Sequence, residues 1–229
     1  MTLIITLQTK SEIVMAADGM GYSQGDASTV PYATQKIHLA NGRWAIAFCG
    51  WAGVEVQRKQ LEAEIAVQTV RFHRDIDIGG PEYIETLHKK LADTYIPQHG
   101  SSKIILAGVA ANGPSVIVGE ITCAAESNKL SLALLEAPKV RAYGSQSSTA
   151  QWMLNAFVDC CKTRDELVSL ACFAIWQVAE QELTQGQLPR YGISTAIVRK
   201  EQPPKIATPD SQQLVRTLNH RLARLKKAF

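Results

Sequence analysis

Long apolar runs are missing from this 229-residue chain. The best stretch, Ile104 to Ala111, is eight residues long and includes Gly108, far short of the roughly 18 needed to span a bilayer. The opening Met1-Thr2-Leu3-Ile4-Ile5-Thr6-Leu7 has no basic segment before it, and Lys10 interrupts it, so it does not read as a secretory signal. The five cysteines, at 49, 123, 160, 161 and 172, are odd in number and show no CxxC spacing, which argues against a disulfide framework and against a zinc site. His38, His73, His88, His99 and His220 show no metal-ligand spacing such as HExxH. There is no Gly-x-Ser-x-Gly elbow, and Gly79-Gly80-Pro81 is a helix-start turn and not a phosphate loop. No internal repeat or low-complexity segment interrupts the chain. These absences lead to an expectation of a cytoplasmic, reduced protein with no membrane segment, metal or other cofactor.

What remains is ordinary globular composition: 46% apolar residues and 24 basic against 21 acidic, a net +3. The length fits one domain over residues 1–229. The charge is uneven. Arg199 to Phe229 holds eight Lys/Arg and two Asp/Glu, a local +6, which leaves −3 for residues 1–198. Leu214, Leu218, Leu222, Leu225 and Phe229 fall on one helical face, so residues 209–229 are expected to form a basic amphipathic helix docking on its own domain or on a neighbouring subunit. Nucleic-acid binding by this segment ranks below that reading.

Residues 2–8 and 12–17 read as strands, and a hairpin centred on Lys10 sets Thr2 opposite Asp18. Asn41-Gly42 reads as a two-residue turn joining 36–40 to 43–48, which sets Lys36 opposite Ala47. Helical spacing follows in Val54, Leu61, Ile65 and Phe72, then in Ile84, Leu87, Leu91 and Tyr95. Strands are expected at 103–109, 115–120, 130–136 and 140–143. One helix then carries Ala150, Leu154, Phe157 and Cys161, with Cys160-Cys161 as buried small hydrophobes. The next opens with the capping pattern Thr163-x-x-Glu166 and carries Leu167, Ala171, Ala174 and Val178. A strand at 193–198 and a short proline-containing connection through Pro203-Pro204 lead to the last helix. Pairs of helices separated by sheet segments suit an α+β fold of four layers, α-β-β-α.

Chemistry concentrates near the N-terminus. With only Met1 to be removed, the chain would begin at Thr2, whose free α-amine and hydroxyl form a self-contained base and nucleophile. Asp18 and Lys36 would bring a carboxylate and an ammonium to that hydroxyl. Gly50, in Cys49-Gly50-Trp51-Ala52-Gly53, would offer a backbone N–H at a helix entry to a tetrahedral oxyanion. Taken singly, Thr2 also reads as a first strand residue, Asp18 as a strand-end turn residue, Lys36 as an exposed charge and Gly50 as a strand breaker.

Together, Thr2, Ala16-Ala17-Asp18-Gly19, Gln35-Lys36-Ile37 and Gly50-Trp51-Ala52-Gly53 resemble the proteasome β-subunit family of N-terminal nucleophile hydrolases. The resemblance implies Thr2 as nucleophile and base, Asp18 and Lys36 as the supporting pair, and Gly50 as oxyanion donor. Tyr143-Gly144-Ser145-Gln146-Ser147 looks like the family's turn before its third helix, which implies that Ser145 orients the Thr2 amine. By the same resemblance Phe48 would lie near the substrate pocket, and it reads equally as a core aromatic. A threonine peptidase inside stacked rings of identical subunits is the implied function, with peptides or unfolded proteins as substrate and an ATP-dependent unfoldase as a partner the family allows. Two departures stand out. Gly19-Met20 follows Asp18, closer to the bacterial HslV-type peptidase than to Ser-Arg, and Leu188-Pro189-Arg190-Tyr191-Gly192 lacks the Asp that many β subunits carry there. The alternatives are a non-catalytic ring subunit of the same fold and an amidase acting on small amides.

Overall fold

The computed structural model describes residues 2–24, 29–33, 35–40, 44–50, 100–110, 113–123, 130–136, 138–144, 146–182, 192–199 and 202–208. The helices expected around 54–72, 84–95 and 209–229 lie outside them, as does the Asn41-Gly42 turn. The described elements are mixed helix and strand, an α+β composition.

The first five-stranded sheet runs in the order β10-β1-β2-β11-β12. Here β1 is Leu3–Gln8, β2 Glu12–Asp18, β10 Val140–Gly144, β11 Ile193–Arg199 and β12 Gln202–Ala207. The second runs β5-β6-β7-β8-β9: Ile37–Ala40, Trp44–Gly50, Gly100–Ala110, Gly113–Cys123 and Leu130–Glu136. A two-stranded ribbon, β3 (Met20–Gln24) with β4 (Thr29–Ala33), lies in the chain between them. Every pairing is antiparallel.

β1 and β2 read as nearly unbroken apolar runs because both of their faces are buried. Leu3, Ile5, Leu7, Val14 and Ala16 pack in one cluster with Ala150, Leu154, Leu170, Ala171 and Ile175 of the helices α1 (Ser147–Phe157) and α2 (Arg164–Glu182). Ile4, Ile13, Met15 and Ala17 pack in a second cluster with Ile37, Ala45, Ala47, Ile105 and Val116 of the other sheet. The first sheet therefore lies between helices and the second sheet. Each fully buried Ile or Met contributes roughly 1.5–3 kcal/mol relative to exposure.

Both edges of the first sheet are guarded. On β10, the Ala142 N–H donates to Gln151 Oε1 (2.9 Å) and Gln151 Nε2 donates to the Val140 carbonyl (3.1 Å), so a side chain of α1 occupies the outer edge. On β12, Pro203 and Pro204 carry no N–H to present. This segment is a strand and not the simple connection expected, because an edge position pairs with β11 on one side only and tolerates proline.

Both hairpin registers differ from expectation by one residue. The first ladder pairs Ile4 with Ala17 and Gln8 with Ile13. Its turn is set by Thr9, whose N–H donates to the Glu12 carbonyl (2.8 Å) and whose Oγ1 accepts from the Glu12 N–H (3.1 Å). The second ladder pairs Ile37, and not Lys36, with Ala47, and the pairing of Ala40 with Trp44 puts three residues in its loop.

The capping box at α2 forms as read: the Glu166 N–H donates to Thr163 Oγ1 (3.3 Å), and Glu166 Oε2 accepts from the N–H groups of Thr163 (2.9 Å) and Lys162 (2.7 Å). Glu166→Ala is expected to cost about 1 kcal/mol, a fall in Tm of roughly 2–4 °C by thermal melt. The preceding helix is shorter than expected. α1 ends at Phe157, a 3₁₀ turn covers Val158–Cys160, and Cys160 is exposed and Cys161 half-buried, so this pair is not a buried apolar one.

Candidate functional site

Asp18 ends β2 in the first sheet, and Lys36 immediately precedes β5 in the second. The ribbon β3–β4 carries the chain between them. Lys36 Nζ lies 2.6 Å from Asp18 Oδ2, with both side chains about 6% exposed, so a buried ion pair ties one sheet to the other. The second carboxylate oxygen, Oδ1, accepts the Leu3 N–H at 2.6 Å. Continued past Ile4–Ala17, the ladder sets Leu3 and not Thr2 opposite Asp18, which is why the carboxylate grips the amide that follows Thr2. Thr2 itself is half-buried.

Burial pushes the Lys36 ammonium below the ordinary lysine range, and the charge of Asp18, its hydrogen bond and the nearby Cys49 pull it partly back. Such a lysine is a cation that yields its proton more readily than one on the surface.

The end of β10 closes over the same place. Leu3 pairs with Gly144, which has φ 100°. A Cβ there would overlap the Thr2 carbonyl oxygen and come within 2.9 Å of its carbon. The same point lies 3.6 Å from Cys49 Cβ, so Cys49, buried in β6, belongs to this cluster. Gln146, ahead of α1, also has a left-handed backbone, with φ 54°.

Asp18, Lys36 and the backbone of Thr2 are thus brought together. Gly50 is the last residue of β6 and pairs with Ser102, and Phe48 pairs with Ile104 two residues earlier. Ser145 lies outside the described residues, as do 183–191, which include most of the segment without an acidic residue. The Gly192 carbonyl just before β11 accepts the Gly19 N–H at 3.0 Å, tying the turn after Asp18 to the late strand. Gly144 and Cys49 are members that reading the sequence missed. The glycine of Tyr143-Gly144-Ser145 was the only visible signal for the first, and Cys49 beside Gly50 carried none of its own.

Tyr143, beside Gly144, faces the space between the sheets. Its hydroxyl and that of Thr6 lie near each other, yet neither finds a well-formed hydrogen bond among the described residues. Burial raises the Tyr143 hydroxyl from 10.0 to about 12. Between these values the unfolded chain ionises first while the folded state keeps the proton, so stability falls as pH rises through 10 to 12. The loss approaches about 3 kcal/mol at the top of this window. Tyr143→Phe is expected to flatten the slope, as followed by denaturant midpoints between neutral and alkaline pH.

Among the described residues, no group of three or more His, Cys, Asp or Glu gathers as a metal site, and no helix is long and apolar enough to cross a membrane. No family model and no curated protein matches this sequence.

Proposed function

We propose that the chain is an N-terminal threonine peptidase. The observation that carries this reading is the carboxylate of Asp18, bonded through one oxygen to the Lys36 ammonium and through the other to the amide directly after Thr2. A buried cation is thereby tied to the residue whose hydroxyl and, once Met1 is removed, α-amine are suited to nucleophilic attack. In the reaction, Thr2 Oγ attacks the peptide carbonyl carbon and its proton passes to the Thr2 amine. Lys36 favours the ionised hydroxyl, and the Gly50 N–H stabilises the oxyanion. Collapse expels the amine, which takes the proton, and leaves an ester on Thr2. Water then hydrolyses the ester and frees Thr2.

The same reading carries a four-layer α-β-β-α sandwich, with the segments around 54–72 and 84–95 supplying the second helical layer. It also carries a cytoplasmic location, homo-oligomeric stacked rings that restrict access to the site, and peptides or unfolded proteins as substrate, and it allows an ATP-dependent unfoldase as partner without requiring one. Ser145 would orient the Thr2 amine and Phe48 would border the pocket.

A non-catalytic ring subunit of the same fold is the second reading, and the lack of an acidic residue in 188–192 favours it. The deciding experiment incubates protein of verified N-terminal mass with an electrophile directed at N-terminal threonine. An adduct on Thr2 supports the peptidase, and assembly without an adduct supports the scaffold. An amidase would form the adduct but cleave only small amides.

A further inference from the structure

We propose that the Thr2–Leu3 peptide group is held in a two-sided clamp, Asp18 on its N–H and the bare Cα of Gly144 on its carbonyl, which makes Gly144 a positioning residue for Thr2. The inference rests on Thr2 being the reacting residue. Two facts carry it. Asp18 Oδ1 takes the Leu3 N–H at 2.6 Å, although that oxygen belongs to a carboxylate already committed to Lys36. On the opposite side, any side chain at 144 would occupy the place of the Thr2 carbonyl, which is backbone and has no rotamer to retreat into.

The left-handed backbone is only part of what fixes the glycine. Two residues on, Gln146 holds φ 54° with a full side chain, inside the left-handed well open to other residues, whereas Gly144 at φ 100° lies beyond that well and in addition has the Thr2 carbonyl where its Cβ would stand. Gly192 provides the converse case. It also has positive φ, 73°, but among the described residues a Cβ there would meet only Thr208 Cγ2 at 3.6 Å, an ordinary contact. Both Gly144→Ala and Gly192→Ala carry backbone strain, the larger at Gly144, and of the two only Gly144→Ala puts a Cβ on the Thr2 carbonyl. The clamp fixes one peptide plane at both ends, so the nucleophile needs no ordering at the moment of attack.

The test uses the full chain with Met1 removed, as wild type, Gly144→Ala and Gly192→Ala. Amide hydrogen exchange at Leu3 is compared with Ile5 of the same strand, and adduct formation by a threonine-directed electrophile is resolved into binding and bond formation. In the wild type, Leu3 is expected to exchange as slowly as Ile5. In Gly144→Ala, Leu3 exchange should accelerate by roughly 100-fold, and bond formation should slow by roughly 100-fold with binding changed less than about threefold. Gly192→Ala strains a turn bonded to Gly19 but puts nothing on the Thr2 carbonyl, so its effect on both readouts should be at least about tenfold smaller than that of Gly144→Ala. Free-peptide exchange at Leu3 in the wild type overturns the clamp with no variant needed, as does an equal loss in Gly192→Ala. A wild type inert to the electrophile removes the reading of Thr2 as nucleophile, while the Leu3 exchange still decides the clamp.

Discussion

Thr2→Ala is expected to abolish covalent labelling and to lower peptide hydrolysis by a factor on the order of 10⁴ or more, because the attacking oxygen is gone. Stability should change by no more than about 0.5 kcal/mol, since the residue is half-buried at the start of the chain and its backbone contacts survive. Thr2→Ser keeps a hydroxyl and an amine and is expected to retain measurable activity. The measurements are intact mass after incubation with the electrophile, hydrolysis of a fluorogenic peptide, and a thermal melt. Hydrolysis undiminished in Thr2→Ala would falsify the assignment of the nucleophile, whatever the fold.

The second large effect falls on the ion pair. Lys36→Met leaves the Asp18 carboxylate buried with the Leu3 N–H as its remaining bond of the two described here, and is expected to destabilise the fold by roughly 3–5 kcal/mol. That corresponds to a fall in Tm of roughly 6–20 °C for a chain of this size. Asp18→Asn keeps an oxygen for Leu3 but removes the counter-charge, leaving a buried ammonium that burial already disfavours. Its loss should be comparable, and it should be relieved as pH rises and the lysine, no longer facing the Asp18 charge, discharges. The double variant Asp18→Asn/Lys36→Met buries no charge and should recover much of either loss, so the four proteins make a coupling cycle. Activity behaves differently. All three variants should lose roughly 100-fold or more in bond formation, because restored stability does not restore the cation. Recovery of both activity and stability in the double variant would show that the pair is purely structural.

The elements that could be read in advance share one property, that short-range chemistry determines them. The capping box at Thr163 and Glu166 involves residues three apart, and the buried face of α2 follows from Leu167, Ala171, Ala174 and Val178 at helical spacing. Registers were harder. The first hairpin slipped by one because the Thr9 hydroxyl builds a turn that no Asn-Gly or Gly-Gly pair announces. In a sheet, a slip of one changes which residue every neighbour faces. Asp18 thus met the amide of Leu3 and not Thr2, and a side-by-side pair became a grip on the backbone. The strand at 202–207 was hidden by its prolines, which forbid a central position but not an edge. The β3–β4 ribbon was hidden by Gly21, Ser23 and Pro31, which dilute its pattern. The union of Asp18 with Lys36 was suggested by resemblance to a family. No periodicity in the chain could have shown that two different sheets meet there.

The strand order of the first sheet also bears on how the chain is made. β1 and β2 leave the ribosome before the other strands of their sheet, as two apolar strands joined in a hairpin, and their outer neighbours are β10 and β11, which begin at residues 140 and 193. For most of synthesis this hairpin has two unsatisfied edges and two uncovered faces, the condition that favours aggregation or capture by a chaperone. Closing the sheet requires contacts between the first and last quarters of the chain, which slows folding. The cluster around Thr2 is consequently among the last parts to form, and under the proposed function a nascent or truncated chain would hold no ordered site with which to attack its neighbours.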